Sequence, residues 1–280
     1  MEQSNDVFKP VSSMIKKDGI PIFEITFVDG YTFRQLFEFI KIGSFEAPIL
    51  IYEDRLVIES SNGDETLYFQ YTIKSKNLIE YNTKIQYFND KSRNRHIVLF
   101  DLSEFQLQIK SISKKEGLKI FQYADCEDFF FLQPVGGNKS NSSGLTIKTK
   151  KGEIKSYELQ NISSSSLCKI ISLSSFCHST INISRSKYTS AIFNIYSDGF
   201  SIISGNSIKS TSQENSWGIC NGKPLYVINI KKDIIKALSK TSNFDPSGII
   251  RVYGLSNNLL CFAIPLSCYG KVIIYIKNEI

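Results

Sequence analysis

Residues Pro224 to Thr241 read PLYVINIKKDIIKALSKT. Leu225–Ile230 is an apolar, β-branched run of the kind that fits a pleated sheet. Lys231–Thr241 changes period: Ile234, Ile235 and Leu238 fall on one helical face and Lys232, Lys236 and Lys240 on the other, spaced i, i+4, i+8. Three more strand-like runs follow, Ile249–Tyr253 (IIRVY), Leu259–Ile264 (LLCFAI) and Val272–Ile276 (VIIYI). The stretch therefore reads strand, helix, strand, strand, strand.

The rest of the chain repeats this unit three times. Ile22–Val28 is a strand, and Thr32–Ile42 places Phe33, Leu36, Phe37 and Ile40 at i, i+3, i+4, i+7, with Thr32 as the expected N-cap. Strands are expected at Ile49–Tyr52, Leu56–Glu59 and Leu67–Ile73. Lys74–Arg95 reads as a polar connector. The second unit has a strand at Ile97–Phe100, a helix at Leu102–Lys115, and strands at Leu118–Tyr123, Phe129–Leu132 and Leu145–Lys148. Gly136–Gly144 (GGNKSNSSG) is a loop. The third unit starts at Leu167, with a helix over Ser174–Tyr188 and a hairpin of Ile192–Tyr196 and Phe200–Ile203 around Ser197-Asp198-Gly199. Each unit is too small to bury its own sheet. The expected organisation is a tail (1–20), a first α+β domain (21–150), a polar serine-rich connector (151–166) and a similar second domain (167–280). Short helices would cover one face of antiparallel sheets in each.

At 280 residues, 42% apolar and 21% charged, the chain has the composition of a globular protein. No window approaches the roughly 18 uncharged apolar residues of a membrane span. Residues 1–20 carry six charges and no apolar core of a secretory signal, so an intracellular protein is expected. The six cysteines form no CxxC pair and read as reduced packing residues. No P-loop, GxSxG or HExxH motif is present. His96 and His178, the only histidines, stand outside any metal-like cluster, and Asp125, Glu127 and Asp128 read as a solvated turn. No catalytic residue, metal or cofactor is expected.

The net charge of +6 is mild, but its distribution is not even. The four helix windows (32–42, 102–115, 174–188, 231–241) carry +1, +2, +2 and +3, so the remaining chain is net acidic. One basic helix face is ordinarily a solvated face. Four of them in four related units suggest a common surface that attracts phosphate without reading bases.

The run DGFSIIS at Asp198–Ser204 follows the Ser174–Tyr188 helix and the Ile192–Tyr196 strand. With the Pro224–Lys240 strand–helix pair and the ending LLCFAIPLSCYGKVIIYIKNEI, it resembles the PCNA-type DNA polymerase sliding clamp, in a divergent form such as large DNA viruses carry. The first half is similar in layout, with EDRLVIES at Glu53–Ser60, and the resemblance spans about residues 20–280. It implies a homotrimeric ring around duplex DNA that tethers polymerase and other replication proteins, in the nucleus or a viral factory. It implies diffuse phosphate contact by Arg34, Lys41, Lys110, Lys114, Lys115, Arg185, Lys187, Lys231, Lys232, Lys236 and Lys240. A pocket for partner peptides would be bordered by Tyr157, Leu159, Ile162, Tyr275, Ile276 and Lys277. Subunits would join by strand pairing between about 145–150 and 206–212. The alternative is a clamp-fold protein that does not self-close: a monomeric processivity factor, a hetero-clamp subunit or a viral transcription factor.

Overall fold

The first helix shows how local sequence sets an element. Asp29 precedes it in an extended conformation, and its Oδ1 accepts the Thr32 amide at 2.9 Å, which satisfies one of the open N–H groups of the first turn. The cap is thus Asp29, not Thr32, whose hydroxyl instead donates to Asp29 Oδ2 at 2.5 Å. Gly30 opens the helix because the chain runs tight against a neighbouring strand here. Its amide bonds Glu116 O at 2.9 Å, and an added Cβ would lie 2.9 Å from Leu118.

The computed structural model describes residues 19–41, 44–110, 112–136, 144–152, 154, 167–197, 199–205, 207–212, 222–244, 248–255 and 259–277. The expected tail, the 136–144 loop and the 151–166 connector lie almost wholly outside them. The first unit is β1 (Pro21–Phe27), α1 (Gly30–Ile40), β2 (Glu46–Ile51), β3 (Arg55–Ser61) and β4 (Leu67–Lys74), followed by a short β5 (Glu80–Thr83). The second is β6 (His96–Asp101), α2 (Leu102–Ile109), β7 (Gly117–Tyr123), β8 (Phe129–Val135) and β9 (Leu145–Lys150). The third is β10 (Leu167–Ser172), α3 (Leu173–Ser184), β11 (Ser190–Ile195), β12 (Gly199–Ser204) and β13 (Ser207–Ser212). The fourth is β14 (Tyr226–Lys231), α4 (Lys232–Leu238), a 3-10 turn (Ser239–Asn243), β15 (Ile249–Leu255), β16 (Leu259–Pro265) and β17 (Lys271–Lys277). The fourfold strand, helix, three-strand order is as read from the sequence.

Two further expectations need correction. The second helix stops at Ile109, not Lys115. Asp101 caps its start through the Ser103 and Glu104 amides, but the Ser111-Ile112-Ser113 run that follows is poor helix-forming sequence. The Lys74–Arg95 stretch is not a plain connector. It holds β5, which pairs antiparallel with β1, and an Asp90–Arg95 ion pair of 2.7 Å. The two halves also share a sheet. β17 pairs with β4 from Lys271↔Thr72 to Ile276↔Leu67, which joins both halves in a thirteen-stranded sheet. A second, four-stranded sheet has the order β13-β12-β11-β14.

The helices pack on these sheets through aromatic side chains. Phe37 lies 4.5 Å from Phe105 and 5.8 Å from Phe100 (ring centroids), and Phe100 is 5.1 Å from Phe130. In the second half Phe176 meets Phe262 at 5.3 Å. The halves also touch directly: Phe39 packs edge-on against Phe244 at 5.6 Å. The buried Tyr269 hydroxyl accepts the Asp29 amide at 2.6 Å and is 3.2 Å from the Asp29 carbonyl, tying the last third of the chain to the cap of α1. Cys177 and Cys261 are buried, as expected of packing cysteines, whereas Cys268 is exposed.

His96, at the head of β6, is 1% exposed. Gln122 donates its amide N–H groups to the Glu127 and Phe129 carbonyls, so its Oε1, 2.7 Å from His96 Nε2, accepts. Nε2 therefore carries the proton, and Nδ1 is buried without a hydrogen-bond partner. Protonating Nδ1 would bury a charge beside Phe23 and Phe88, and burial accordingly pushes the His96 pKa below the ordinary histidine value. Between the two values the unfolded chain binds the proton and the folded chain does not. This contribution to stability is complete above roughly pH 6.5 and is lost as pH falls below it. Denaturation midpoints should decline from pH 7 to pH 5.5, and His96→Gln should flatten that decline; an unchanged pH slope would contradict it.

Candidate nucleic-acid interface

The helices form two pairs, α1 with α2 and α3 with α4, and α1 also meets the 3-10 turn after α4. Their buried faces are apolar: Phe33, Leu36, Phe37 and Ile40 in α1, Leu102, Phe105 and Ile109 in α2, and Ile234, Ile235, Ala237 and Leu238 in α4. Cations lie toward the other side and cluster at the C-terminal ends, where they complement the helix dipole as well as any ligand.

Each expected phosphate-contacting residue has a definite place. Lys41 caps α1 and is half-buried. Lys110 caps α2, and Lys114 and Lys115 follow it, all three exposed. Arg185 and Lys187 are exposed just beyond α3, and Lys236 and Lys240 are exposed on α4 and its 3-10 extension. These seven exposed residues have no ion pair among the described residues.

Three other residues are engaged by the protein itself. Arg34 bonds Glu38 at 2.8 Å and donates to the Lys110 and Ile112 carbonyls at 2.7 and 3.2 Å, closing the end of α2 that its short length leaves open. Lys231 is the last residue of β14 and pairs with Asp64 of the β3–β4 turn at 2.9 Å, which lowers the Asp64 pKa. Lys232 is half-buried and donates to the Ser186 carbonyl. The expected stripe is thus broken. Lys232 turns to α3, and Lys240 falls after the α-helix has tightened into a 3-10 turn.

Two aromatic rings stand among these cations. Tyr31 lies 5.5 Å from the Arg34 guanidinium carbon and 5.4 Å from Lys114 Nζ, and Tyr188 lies 5.7 Å from Lys187 Nζ. Neither was singled out from the sequence, although Tyr31 stands three residues before Arg34 and Tyr188 directly follows Lys187.

A second surface lies on the outer side of β4, β15, β16 and β17. Tyr68, Leu255, Cys261, Ala263, Ile273 and Tyr275 form an apolar cluster apart from the main core, with Tyr253 and Leu259 half-buried against it. Tyr275 and Tyr68 have ring centroids 6.1 Å apart, and burial pushes the Tyr275 phenol pKa up to about 12. Of the expected peptide-pocket residues, Tyr275 belongs to this face, Ile276 points into the main core and Lys277 is exposed. Strand alternation puts neighbours on opposite faces. Tyr157, Leu159 and Ile162 lie outside the described residues.

Among the described residues, β13 and the first part of β9 each have one strand neighbour. β13 ends the four-stranded sheet. Leu145–Leu132 to Lys148–Phe129 pairing occupies one side of β9, and β6 meets β9 only at Thr149 and Lys150, so among the described residues Leu145–Lys148 have one strand neighbour.

Solved structures share this architecture. The chain superposes with a TM-score of 0.75 on a chain of the PCNA2–PCNA3 complex from Sulfolobus tokodaii, covering 91% of this chain and 99% of that one at 15% identity. The proliferating cellular nuclear antigen of Entamoeba histolytica gives 0.75 at 11% identity, over 93% of this chain and 100% of that one. PCNA from Thermococcus kodakaraensis gives 0.75 at 11% identity, over 92% and 100%. The chain has the PCNA-like sliding-clamp fold. No family model matches the sequence, and no curated protein matches it. The clamp likeness thus extends over the whole length of each solved neighbour while leaving few identical residues.

The two kinds of cation should separate on substitution. Arg34→Ala should destabilise the protein by about 1–3 kcal/mol, because it leaves helix-end carbonyls without their charged donor. Lys115→Ala should leave the denaturation midpoint unchanged. Equal effects would show that Arg34 does not hold the end of α2.

Proposed function

We propose that the chain is a non-enzymatic sliding clamp, a DNA polymerase processivity factor that closes around duplex DNA as a ring of three copies. The observation that carries this reading is the clamp fold together with exposed cations on or just after all three of α2, α3 and α4. Lys110, Lys114, Lys115, Arg185, Lys187, Lys236 and Lys240 would make loose, water-bridged phosphate contacts; Arg34, Lys41, Lys231 and Lys232 would support that surface from behind or at its margin. Such contacts give salt-dependent affinity without sequence preference, as a ring that must slide requires. Strand β13 of one copy would pair with β9 of the next, which removes two open edges at once. The outer cluster around Tyr275, with Lys277 at its border, would take short peptides of polymerase and other replication proteins, together with Tyr157, Leu159 and Ile162 of the connector. The place of action would be wherever its DNA template is copied, the nucleus or a cytoplasmic viral factory of the host cell.

A second reading is a ring that closes only with a different clamp chain. The Sulfolobus tokodaii neighbour favours keeping it, because that structure is a complex of two distinct PCNA chains.

Light scattering separates the two. A solution mass near three times the 31.8 kDa of one chain supports the self-closed ring, and a monomer at every concentration excludes it. Lys236→Glu with Lys240→Glu should then weaken retention on circular DNA and reduce the slope of log affinity against log salt by about 0.9 per lost contact. Unaltered retention and slope would remove these two residues from the DNA surface.

A further inference from the structure

Tyr31, in the first turn of α1, carries two cations over its ring, the Arg34 guanidinium carbon at 5.5 Å and Lys114 Nζ at 5.4 Å. They come from different parts of the chain. Arg34 is one turn further along α1, whereas Lys114 lies in the link from α2 to β7. That link is stitched to α1 on both sides of Lys114. Before it, Arg34 Nη1 donates to the Lys110 and Ile112 carbonyls at 2.7 and 3.2 Å. After it, the Gly30 amide donates to Glu116 O at 2.9 Å. Between these points the Ser113 amide donates to Glu116 Oε2 at 2.8 Å, and the Glu116 amide to Ser113 O at 3.2 Å. The backbone of Lys114 is thus fixed, and its ammonium lies over a ring that the same contacts hold in place.

Other ordered lysines are held by carboxylates: Lys119 by Glu24 and Glu80, Lys150 by Glu46, and Lys231 by Asp64. Each of those pairs cancels the charge that it orders. The face of an aromatic ring attracts an ammonium through its quadrupole and carries no net charge. Lys114 therefore keeps its full positive charge at an exposed position. Fixing a lysine stem costs rotamer entropy. A lysine seated on a ring has lost part of that freedom before a ligand arrives, so less is lost on binding. Lys115, next in the chain and also exposed, has no ring contact among the described residues.

We propose that Tyr31 is a positioning residue for phosphate: it seats Lys114, charged and partly ordered, where the ammonium meets the backbone of duplex DNA. The inference rests on the phosphate-contacting role proposed above for the helix surface, and it adds an uncharged residue to that surface. An exposed cation–π contact amounts to only about a two- to fivefold preference, so the seat gives Lys114 up to a passing phosphate and takes it back afterwards. Arg34 stays on its carbonyls throughout and steadies the ring.

A double-mutant cycle on affinity for a short labelled duplex tests this. Tyr31→Leu should weaken binding about two- to fivefold at low salt, and Tyr31→Phe, which keeps the ring face, should bind as the parent chain does. In a Lys114→Ala background Tyr31→Leu should have no further effect. In a Lys115→Ala background it should cost the same as in the parent. A role confined to stability would give equal losses in both backgrounds. If Tyr31→Leu prevents folding, a ring-fluorinated phenylalanine at position 31 replaces it. Compared with Tyr31→Phe it keeps the shape and weakens the ring face, and the same dependence on Lys114 is expected. No loss of binding, or a loss independent of Lys114, would overturn the proposal and leave the phosphate surface standing. A parent chain without affinity for the duplex at low salt would remove that surface, and this role with it.

Discussion

The pairing of β17 with β4 is the constraint on which the rest of the architecture depends. Residues 271–276 lie beside residues 67–72, so backbone hydrogen bonds between the halves replace what could have been a mobile interface. Each such bond contributes only about 1 kcal/mol net. The side chains add more: Val272, Ile274 and Ile276 on one strand and Leu67, Phe69 and Tyr71 on the other are buried in the common core. The seam also gives the sheet two apolar faces, one toward the helices and one around Tyr275. An edge at this position would have left the outer cluster half built. The Tyr269–Asp29 contact and the Phe39–Phe244 pair brace the same junction from the helix side.

On the basic helices one charge suits two purposes, helix stability and the proposed phosphate contact. Lys110, Arg185 and their neighbours sit at or just past helix C-termini, where a positive charge is favourable whatever the protein binds. A surface suited to helix stability and one suited to the proposed phosphate contact therefore coincide. Arg34 lies at the limit of this overlap. Its guanidinium faces two carbonyls and a carboxylate, a fixed environment with little left for a passing phosphate. Exposed lysines at the ends of mobile stems suit a sliding contact better, because each can exchange one phosphate for the next at low cost.

The repeated unit was legible in the sequence because two periods alternate cleanly. Ile249–Tyr253 and Leu259–Ile264 could only be strands, and Phe33, Leu36, Phe37 and Ile40 only one face of a helix. What was not legible depends on contacts between distant residues. β5, with the sequence EYNT, has no apolar alternation and is a strand because β1 lies beside it. The sequence suggests a longer α2 because Ile112 continues the apolar period, yet Ile112 reaches the core from beyond the helix. The lysine stripe of α4 followed from ideal geometry, but Ser186 and a 3-10 turn redirect its ends. Sequence alternation does separate Tyr275 from Ile276, a distinction that a list of adjacent pocket residues hides. The pairing of β4 with β17 had no local signal at all.

That pairing also orders events during synthesis. Leu67 meets Ile276 across about two hundred residues of intervening chain. At roughly 5–20 residues per second, ribosomes would leave the β4 flank exposed for some 10–40 s. During that time Phe69 and Tyr71 would lie on an unfinished edge, the kind of surface that attracts chaperones and wrong partners. Contacts so remote in the chain also slow folding, because the intervening loop must be closed before the contact is made. The first half of this protein thus reaches its final form only when its last strands arrive.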